Sequence, residues 1–335
     1  MTEIDNILNQ AATGQRITDE ECLLLFQYPD LTAIGAAAHE ARCLRTDGQV
    51  VTFNCDRNIN YTNICTTRCS FCAFSREPGD DEGYVLDEDD FRSKIEELYH
   101  KGGSQILLQG GLNPELGLEW YEQLLRWLRA EWPGLYLHCF SPSEIEHLAL
   151  SSNHTPLEVL TRLKDAGLQS IPGGGAEILS DRVRGKMSPR KILADGWIDV
   201  MRQAAQAGLR ATATMMLGHI ESMEERVEHL QRIRDLQDET GVFTAFIAWT
   251  FQPRNRQNKE HFCGSFEYLR TAAISRLFLD NIANHQASWV TRGPKVAQVS
   301  LRMGINDLGS TMIEENVVRE AGTAYRMDAA DLKKL

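Results

Sequence analysis

Asn63-Ile-Cys65-Thr-Thr-Arg-Cys69-Ser-Phe-Cys72-Ala-Phe-Ser-Arg76 sets three cysteines at C-x3-C-x2-C spacing in a polar loop, with an aromatic residue directly before the third. Thiolates spaced this way wrap one face of a cubane iron–sulfur cluster and leave a fourth iron without a protein ligand, whereas closed iron–sulfur and zinc sites take four ligands. An open iron is a place for a substrate or cofactor. Two other readings compete. Zinc would need these thiols plus a distant histidine, but its usual pattern is paired C-x2-C knuckles and no second pair follows. Structural core cysteines sit in apolar runs, and this loop is built of Asn, Thr, Arg and Ser. The spacing therefore predicts one [4Fe-4S] cluster held by Cys65, Cys69 and Cys72. The scattered Cys22, Cys43, Cys55, Cys139 and Cys263 read as packing residues.

Working outward, the loop follows a short β-rich run, Val50-Val-Thr-Phe-Asn-Cys55, and a polar exit, Asp56-Arg-Asn-Ile-Asn-Tyr-Thr-Asn63. An apolar strand, a polar or glycine-rich exit and then a helix recur down the chain. Ile106-Leu-Leu108 exits at Gln109-Gly-Gly-Leu112, Leu135 to Phe140 at Ser141-Pro-Ser-Glu144, and Leu168 to Ile171 at Pro172-Gly-Gly-Gly-Ala-Glu177. Arg210 to Leu217, Phe243 to Trp249, Ala287 to Thr291 and a weaker Gly304 to Gly309 complete eight beats. Helical segments fall at Asp89–Lys101, Leu118–Ala130, Pro189–Ala207, Met223–Glu239 and Phe266–Asn284, with a short helix opening at Pro294. Eight beats predict an α/β fold, a (βα)8 TIM-type barrel; an incomplete six-stranded barrel with a C-terminal extension is the alternative. Residues 1–48 read as an N-terminal helical cap, with Thr18 capping a helix, and residues 49–335 as the barrel with a C-terminal helix. Sites in such barrels occupy the carboxyl ends of the strands, so every exit quoted lands on one rim.

Composition narrows the ligand class. Of 335 residues 42% are hydrophobic, enough for a full core, and the formal charge of −12 lacks the basic footprint that nucleic acid or an anionic membrane requires. A small molecule is the expected ligand. The start Met1-Thr-Glu-Ile-Asp has no leader pattern, and no apolar run approaches the ~18 residues of a membrane span, which predicts a cytoplasmic protein. Eight cysteines in a reducing compartment are not a disulfide framework.

The cysteine spacing, the Gly-Gly exit and the β/α alternation resemble the radical S-adenosylmethionine (SAM) enzymes. Longer blocks are similar to the menaquinone-pathway members of the futalosine route: Asp56-Arg-Asn-Ile-Asn-Tyr-Thr-Asn, Ile171-Pro-Gly-Gly-Gly-Ala-Glu-Ile-Leu, Thr212-Ala-Thr-Met-Met, Leu236-Gln-Asp-Glu-Thr-Gly, Ser288-Trp-Val-Thr and Ile305-Asn-Asp-Leu-Gly. Within that group, Thr212-Ala-Thr-Met-Met and Ser288-Trp-Val-Thr resemble most the members that cyclise dehypoxanthine futalosine. The resemblance spans about Val50 to Gly322; Arg68 and Ser75 depart from it on the loop's surface.

The resemblance implies two cofactors, a [4Fe-4S] cluster on the three cysteines and S-adenosyl-L-methionine on its open iron. Phe71 would lie near the adenine and the Gly110-Gly111 backbone near the methionine amino group. Leu112 stands where the family pattern has an acid, so Glu144, beside Ser141, or Glu177 is expected to replace it. The implied substrate, dehypoxanthine futalosine, is a ribose bearing a carboxyphenyl ketone. A deoxyadenosyl radical takes hydrogen from ribose C4′, the carbon radical closes onto the aryl ring, and loss of an electron and a proton restores aromaticity. An external electron donor such as flavodoxin or ferredoxin is implied as well. An aryl carboxylate calls for a guanidinium in bidentate geometry, from Arg57 or Arg292. An apolar wall is expected from Trp249, Trp289, Met215 and Met216, and the proton acceptor from Asp307, His219 or Glu221.

Overall fold

The computed structural model describes residues 2–252, 263–323 and 325–335. Three helices, α1 (Glu3–Ala12), α2 (Asp19–Gln27) and α3 (Leu31–Arg45), precede the first strand. The expected cap at Thr18 is present: its hydroxyl accepts the Glu21 N–H and the Glu21 carboxylate accepts the Thr18 N–H, a capping box. These helices pack on the barrel's outer helices, and Arg16 and Arg45 reach Asp280 in the loop that leads into β8. The preface therefore lies toward the amino ends of the strands and leaves the opposite rim uncovered.

The chain then alternates: β1 (Thr52–Asn54), β2 (Asp56–Ile59), α4 (Glu88–His100), β3 (Gln105–Leu108), α5 (Leu118–Glu131), β4 (Tyr136–Cys139), α6 (Pro142–Ser152), α7 (Pro156–Ala166), β5 (Ser170–Ile171), α8 (Asp181–Met187), α9 (Ala194–Gln206), β6 (Arg210–Leu217), α10 (Met223–Thr240), β7 (Phe243–Thr250), α11 (Ser265–Phe278), β8 (Asn284–Gln286), α12 (Trp289–Arg292), α13 (Pro294–Ser300), β9 (Asp307–Ser310), α14 (Val317–Glu320) and α15 (Ala329–Leu332). All strand pairs are parallel, in the order β1-β9-β8-β7-β6-β5-β4-β3-β2. Only Cys55 separates β1 from β2, and they pair on opposite sides, β1 with β9 and β2 with β3. They are two halves of one interrupted strand, so the nine pieces close as the expected eight-beat barrel. Thr311 N–H to Asn54 O (3.0 Å) and Ile313 N–H to Asp56 O (3.5 Å) zip the seam.

Burial along the strands shows what the barrel encloses. On β6, Ala211, Ala213 and Met215 are buried while Thr212 and Thr214 keep partial exposure; on β7, Phe246 and Ala248 are buried while Ala245, Ile247 and Trp249 are not. Successive residues of a strand face opposite sides. The buried set joins the helices in the main core, so the drier face is the outer one. The inner face borders an accessible chamber instead of the packed layers that fill an ordinary barrel of this type.

Four expectations shift. The seventh strand runs over Asn284–Gln286, upstream of the expected Ala287–Thr291, whose second half forms the turn α12. The helix expected over Pro189–Ala207 starts at Ala194, and a separate α8 precedes it. The helix expected to reach Asn284 stops at Phe278, because the fully buried Arg276 takes the next segment's carbonyls: those of Gly304 (2.7 Å), Ala283 (2.9 Å) and Ile282 (3.3 Å), with Asn306 Oδ1 at 2.6 Å. The expected C-terminal helix is two separate single turns, α14 and α15. Removing a charged donor from buried acceptors costs roughly 3 kcal/mol or more. Arg276→Met is accordingly expected to lower the urea midpoint of the anaerobically purified protein; an unchanged midpoint would show that these carbonyls find other partners.

Candidate active site

The cysteine loop leaves β2 at the carboxyl rim and is laced to three other segments. Cys65 N–H donates to Arg76 O and Arg76 N–H to Asn63 O, both at 2.8 Å, closing the loop on itself. Gly111 N–H donates to Thr62 O (3.0 Å) and Thr66 N–H to Leu112 O (3.2 Å), so the β3 exit runs alongside it. A Cβ on Gly111 would stand 2.2 Å from Ile64 O, and one on Gly110 2.5 Å from the Tyr61 ring. Both glycines are needed because backbone and ring occupy the space of a side chain. On the far side, Met187 O at the end of α8 accepts the Ser70 N–H (2.8 Å) and hydroxyl (3.1 Å), and Arg190 reaches Thr66 O at 3.4 Å. Two of the thiols share one hydroxyl: Thr67 Oγ1 lies 2.9 Å from Cys65 Sγ and 3.7 Å from Cys69 Sγ.

Two buried carboxylates flank the loop. Glu144 Oε1 accepts the Tyr61 hydroxyl (2.7 Å) and Gly110 N–H (3.0 Å), while Oε2 accepts the Ser141 N–H and hydroxyl, each at 2.7 Å. Burial raises its pKa against the pull of those four donors. Glu177 sits in left-handed backbone (φ 39°) and pairs with Lys191 Nζ (2.9 Å) and Arg184 (3.5 Å). Burial opposes its ionisation, but these two cations hold its carboxyl below the ordinary range. Lys191 Nζ also lies 5.7 Å from the Phe71 ring centroid, and its charge counteracts the rise that burial imposes on the Cys69 thiol.

A profile of the Radical SAM superfamily matches residues 59–233, and one described as CofH/MqnC C-terminal region matches residues 240–335. This chain belongs to the radical SAM superfamily. It is 47% identical over 333 residues to cyclic dehypoxanthine futalosine synthase of Halalkalibacterium halodurans, covering 99% of this chain and 90% of that one. The protein of the same name from Streptomyces coelicolor is 44% identical, covering 98% and 84%. Among solved structures, methylornithine synthase superposes with a TM-score of 0.75 over 98% of this chain and 93% of that one; at 18% identity this speaks to the fold.

A radical SAM protein uses a [4Fe-4S] cluster and SAM, and the loop fits them. No three His, Cys, Asp or Glu donors among the described residues converge as a single-ion site. A cubane instead spreads thiolates over separate irons, and the Lys191 cation partly offsets the rise that burial imposes on the Cys69 thiol.

The barrel brings together at this rim Cys65, Cys69, Cys72, Phe71, Gly110, Gly111, Ser141, Glu144 and Glu177. The two acids expected to meet the cofactor's ammonium are already committed, Glu144 to four donors of its own chain and Glu177 to two cations. A Cβ on Gly173, Gly174 or Gly175, in the exit of β5, would meet Thr212 O at 2.6 Å, the Gln109 amide at 2.4 Å and the Ser143 hydroxyl at 2.6 Å respectively, so neighbouring segments occupy the space of their side chains. Met216 and Trp249 are register partners near the top of β6 and β7.

The other expected residues are engaged by partners within the chain. Arg57 points out of the barrel, bound to Glu97 (2.5 Å) and Glu314 (2.8 Å), because alternation along β2 turns Asp56 and Asn58 inward and Arg57 toward α4. Trp289 is core: its indole N–H donates to Ser310 O (3.0 Å) and its ring packs with Leu301 and Leu308. Met215 joins the outer core. Asp307 opens β9 at the floor, taking the Thr52 hydroxyl (2.5 Å) and Gly309 N–H (2.6 Å). Glu221 binds Arg226 and the Gly218 and His219 N–H groups, and His219 Nε2 is 3.0 Å from Met216 O. Arg292 stays at the rim, donating to Cys263 O (2.7 Å) and Ser265 Oγ (3.1 Å).

Sequence reasoning missed Lys191, Arg184, Tyr61 and Met187. Lys191 lies in the linker between α8 and α9, which the expected Pro189–Ala207 helix had taken in, so no spacing marked it. A ligand test separates the loop from the other thiols. Cys55 Sγ contacts Lys101 O (3.5 Å), away from the loop. Cys69→Ala is expected to abolish the brown colour and SAM cleavage after anaerobic reconstitution, and Cys55→Ala to spare both. Equal losses would mean that the ligand set is wrong.

Proposed function

We propose that this chain cyclises dehypoxanthine futalosine to cyclic dehypoxanthine futalosine in menaquinone biosynthesis. Near-full-length identity to two synthases of that name carries the reading, and the rim supplies its parts. Cys65, Cys69 and Cys72 would hold the cluster, with Phe71, Gly110, Gly111 and Ser141 along the SAM side. When bound, the cluster and SAM supply the one-electron chemistry: a radical that takes hydrogen from ribose C4′, and an acceptor for the electron released when the aryl ring regains aromaticity.

The chain's own residues position and exclude. Glu144 fixes the exits that border the cofactor. Glu177, Lys191 and Arg184 form a buried group of net positive charge against the thiolate side of the loop. Met216 and Trp249 offer an apolar wall to the aryl ring, and Arg292 is the rim guanidinium for its carboxylate. Residues 1–48 act as a cap remote from the chemistry. Among the described residues no helix is long and apolar enough to cross a membrane. Cytoplasmic location and an external donor such as flavodoxin or ferredoxin belong to the same reading.

The test is anaerobic incubation of reconstituted, reduced protein with SAM and dehypoxanthine futalosine. Equal amounts of 5′-deoxyadenosine and cyclised product are expected. Transfer of the nucleoside into the product would point to a sister enzyme that adds to its substrate, and a colourless protein holding one zinc would end the radical reading. Because the electron is released again, product should exceed the reductant supplied; strict one-to-one consumption would contradict this.

A further inference from the structure

Ring closure in the proposed reaction leaves one proton to be removed inside the chamber, and the residues expected to take it are committed elsewhere. Asp307 lies at the floor with its oxygens taken. Asp56, also inward-facing, receives the Ser310 hydroxyl and the Gln105 amide (3.4 Å). Glu144, Glu177 and Glu221 are each bound by donors of their own chain, and the His219 ring is buried against Met216 O and Phe251.

β4 places a different base in the chamber. Leu137 and Cys139 are fully buried in the outer core, so alternation turns His138 inward, where it keeps partial exposure. Its register partners are Leu107 on β3 and Ser170 on β5. Nδ1 lies 2.6 Å from Ser170 Oγ, which fixes the ring. Nε2 has no hydrogen-bonding partner among the described residues and is not sealed from solvent, so it opens onto the chamber. The other strand histidine, His285, is fully buried on the outer face. Burial pushes the His138 pKa down to about 4, which leaves a neutral imidazole at pH 7.

We propose that His138 Nε2 accepts the ring proton in the aromatisation step. The inference rests on the cyclisation reading above. The new bond joins ribose C4′ to a ring carbon, and the C–H bond at that carbon breaks. Its proton goes to Nε2, and the remaining electron goes to the acceptor the proposed reaction already includes. Proton loss and electron loss assist each other, since removing positive charge from the ring makes it a better electron donor.

The experiment compares wild type with His138→Gln and His138→Ala, using substrate deuterated at the ring positions beside the ketone. 5′-Deoxyadenosine, cyclised product and iron content are measured. Both variants are expected to keep wild-type iron and to release 5′-deoxyadenosine in response to substrate. Cyclised product should fall at least about tenfold relative to that release, within the range of a lost general base. A ring-deuterium isotope effect above about 2 should appear on product formation, as expected when breakage of that C–H bond becomes slow. An unchanged ratio of product to 5′-deoxyadenosine, no new isotope effect, or loss of iron would each overturn the assignment, the last by making His138 structural. If wild type gives neither product nor substrate-dependent 5′-deoxyadenosine, the cyclisation reading itself has failed.

Discussion

One buried carboxylate holds the rim in register. Glu144 gathers the hydroxyl after β2, the backbone N–H after β3 and both donors of the residue that begins α6. Charge-assisted hydrogen bonds are worth about twice a neutral one, and in a dry setting they fix distance as well as energy. The cysteine loop follows Tyr61 and runs beside Gly111, so its path is set by the same anchor. The role differs from the cofactor contact expected of an acid at that position: the carboxylate acts on the segments that border the cofactor.

The barrel's inversion of burial is the second constraint. Small or polar residues line the inside of β5 and β6, and the apolar volume lies between sheet and helices. Closing a ring with an interrupted strand, β1 and β2 about Cys55, suits an enclosure that keeps a chamber open. The C-terminal segment after β9 replaces a regular eighth helix with single turns, and Arg57, Lys94 and Glu314 meet where that helix would pack. An arginine that reads as a ligand-binding residue is thereby absorbed into structure.

How far the sequence could be read depended on the physics of each feature. The three-cysteine spacing is local and sets its own chemistry, so it was legible without any fold. The eight-beat rhythm was legible because strand and helix have different periods. The strand before Ser288 was misplaced by a few residues because aromatic and β-branched residues in Ser-Trp-Val-Thr favour a strand locally, while Trp289 gains more by burying its ring and pairing its indole N–H. Which arginine, acid or histidine faces the chamber depends on a one-residue alternation that weak strand boundaries do not fix.

The sequence by itself determined the cluster loop, the barrel class and the glycines of the β3 exit, because spacing, period and absent side chains are properties of neighbouring residues. Only the tertiary structure decided that Glu144 is an anchor, that Lys191 stands beside Cys69 and Phe71, that Arg57 faces outward and that His138 faces in. Those outcomes depend on strand register and on contacts between residues far apart in the chain, which closure of the ring alone creates.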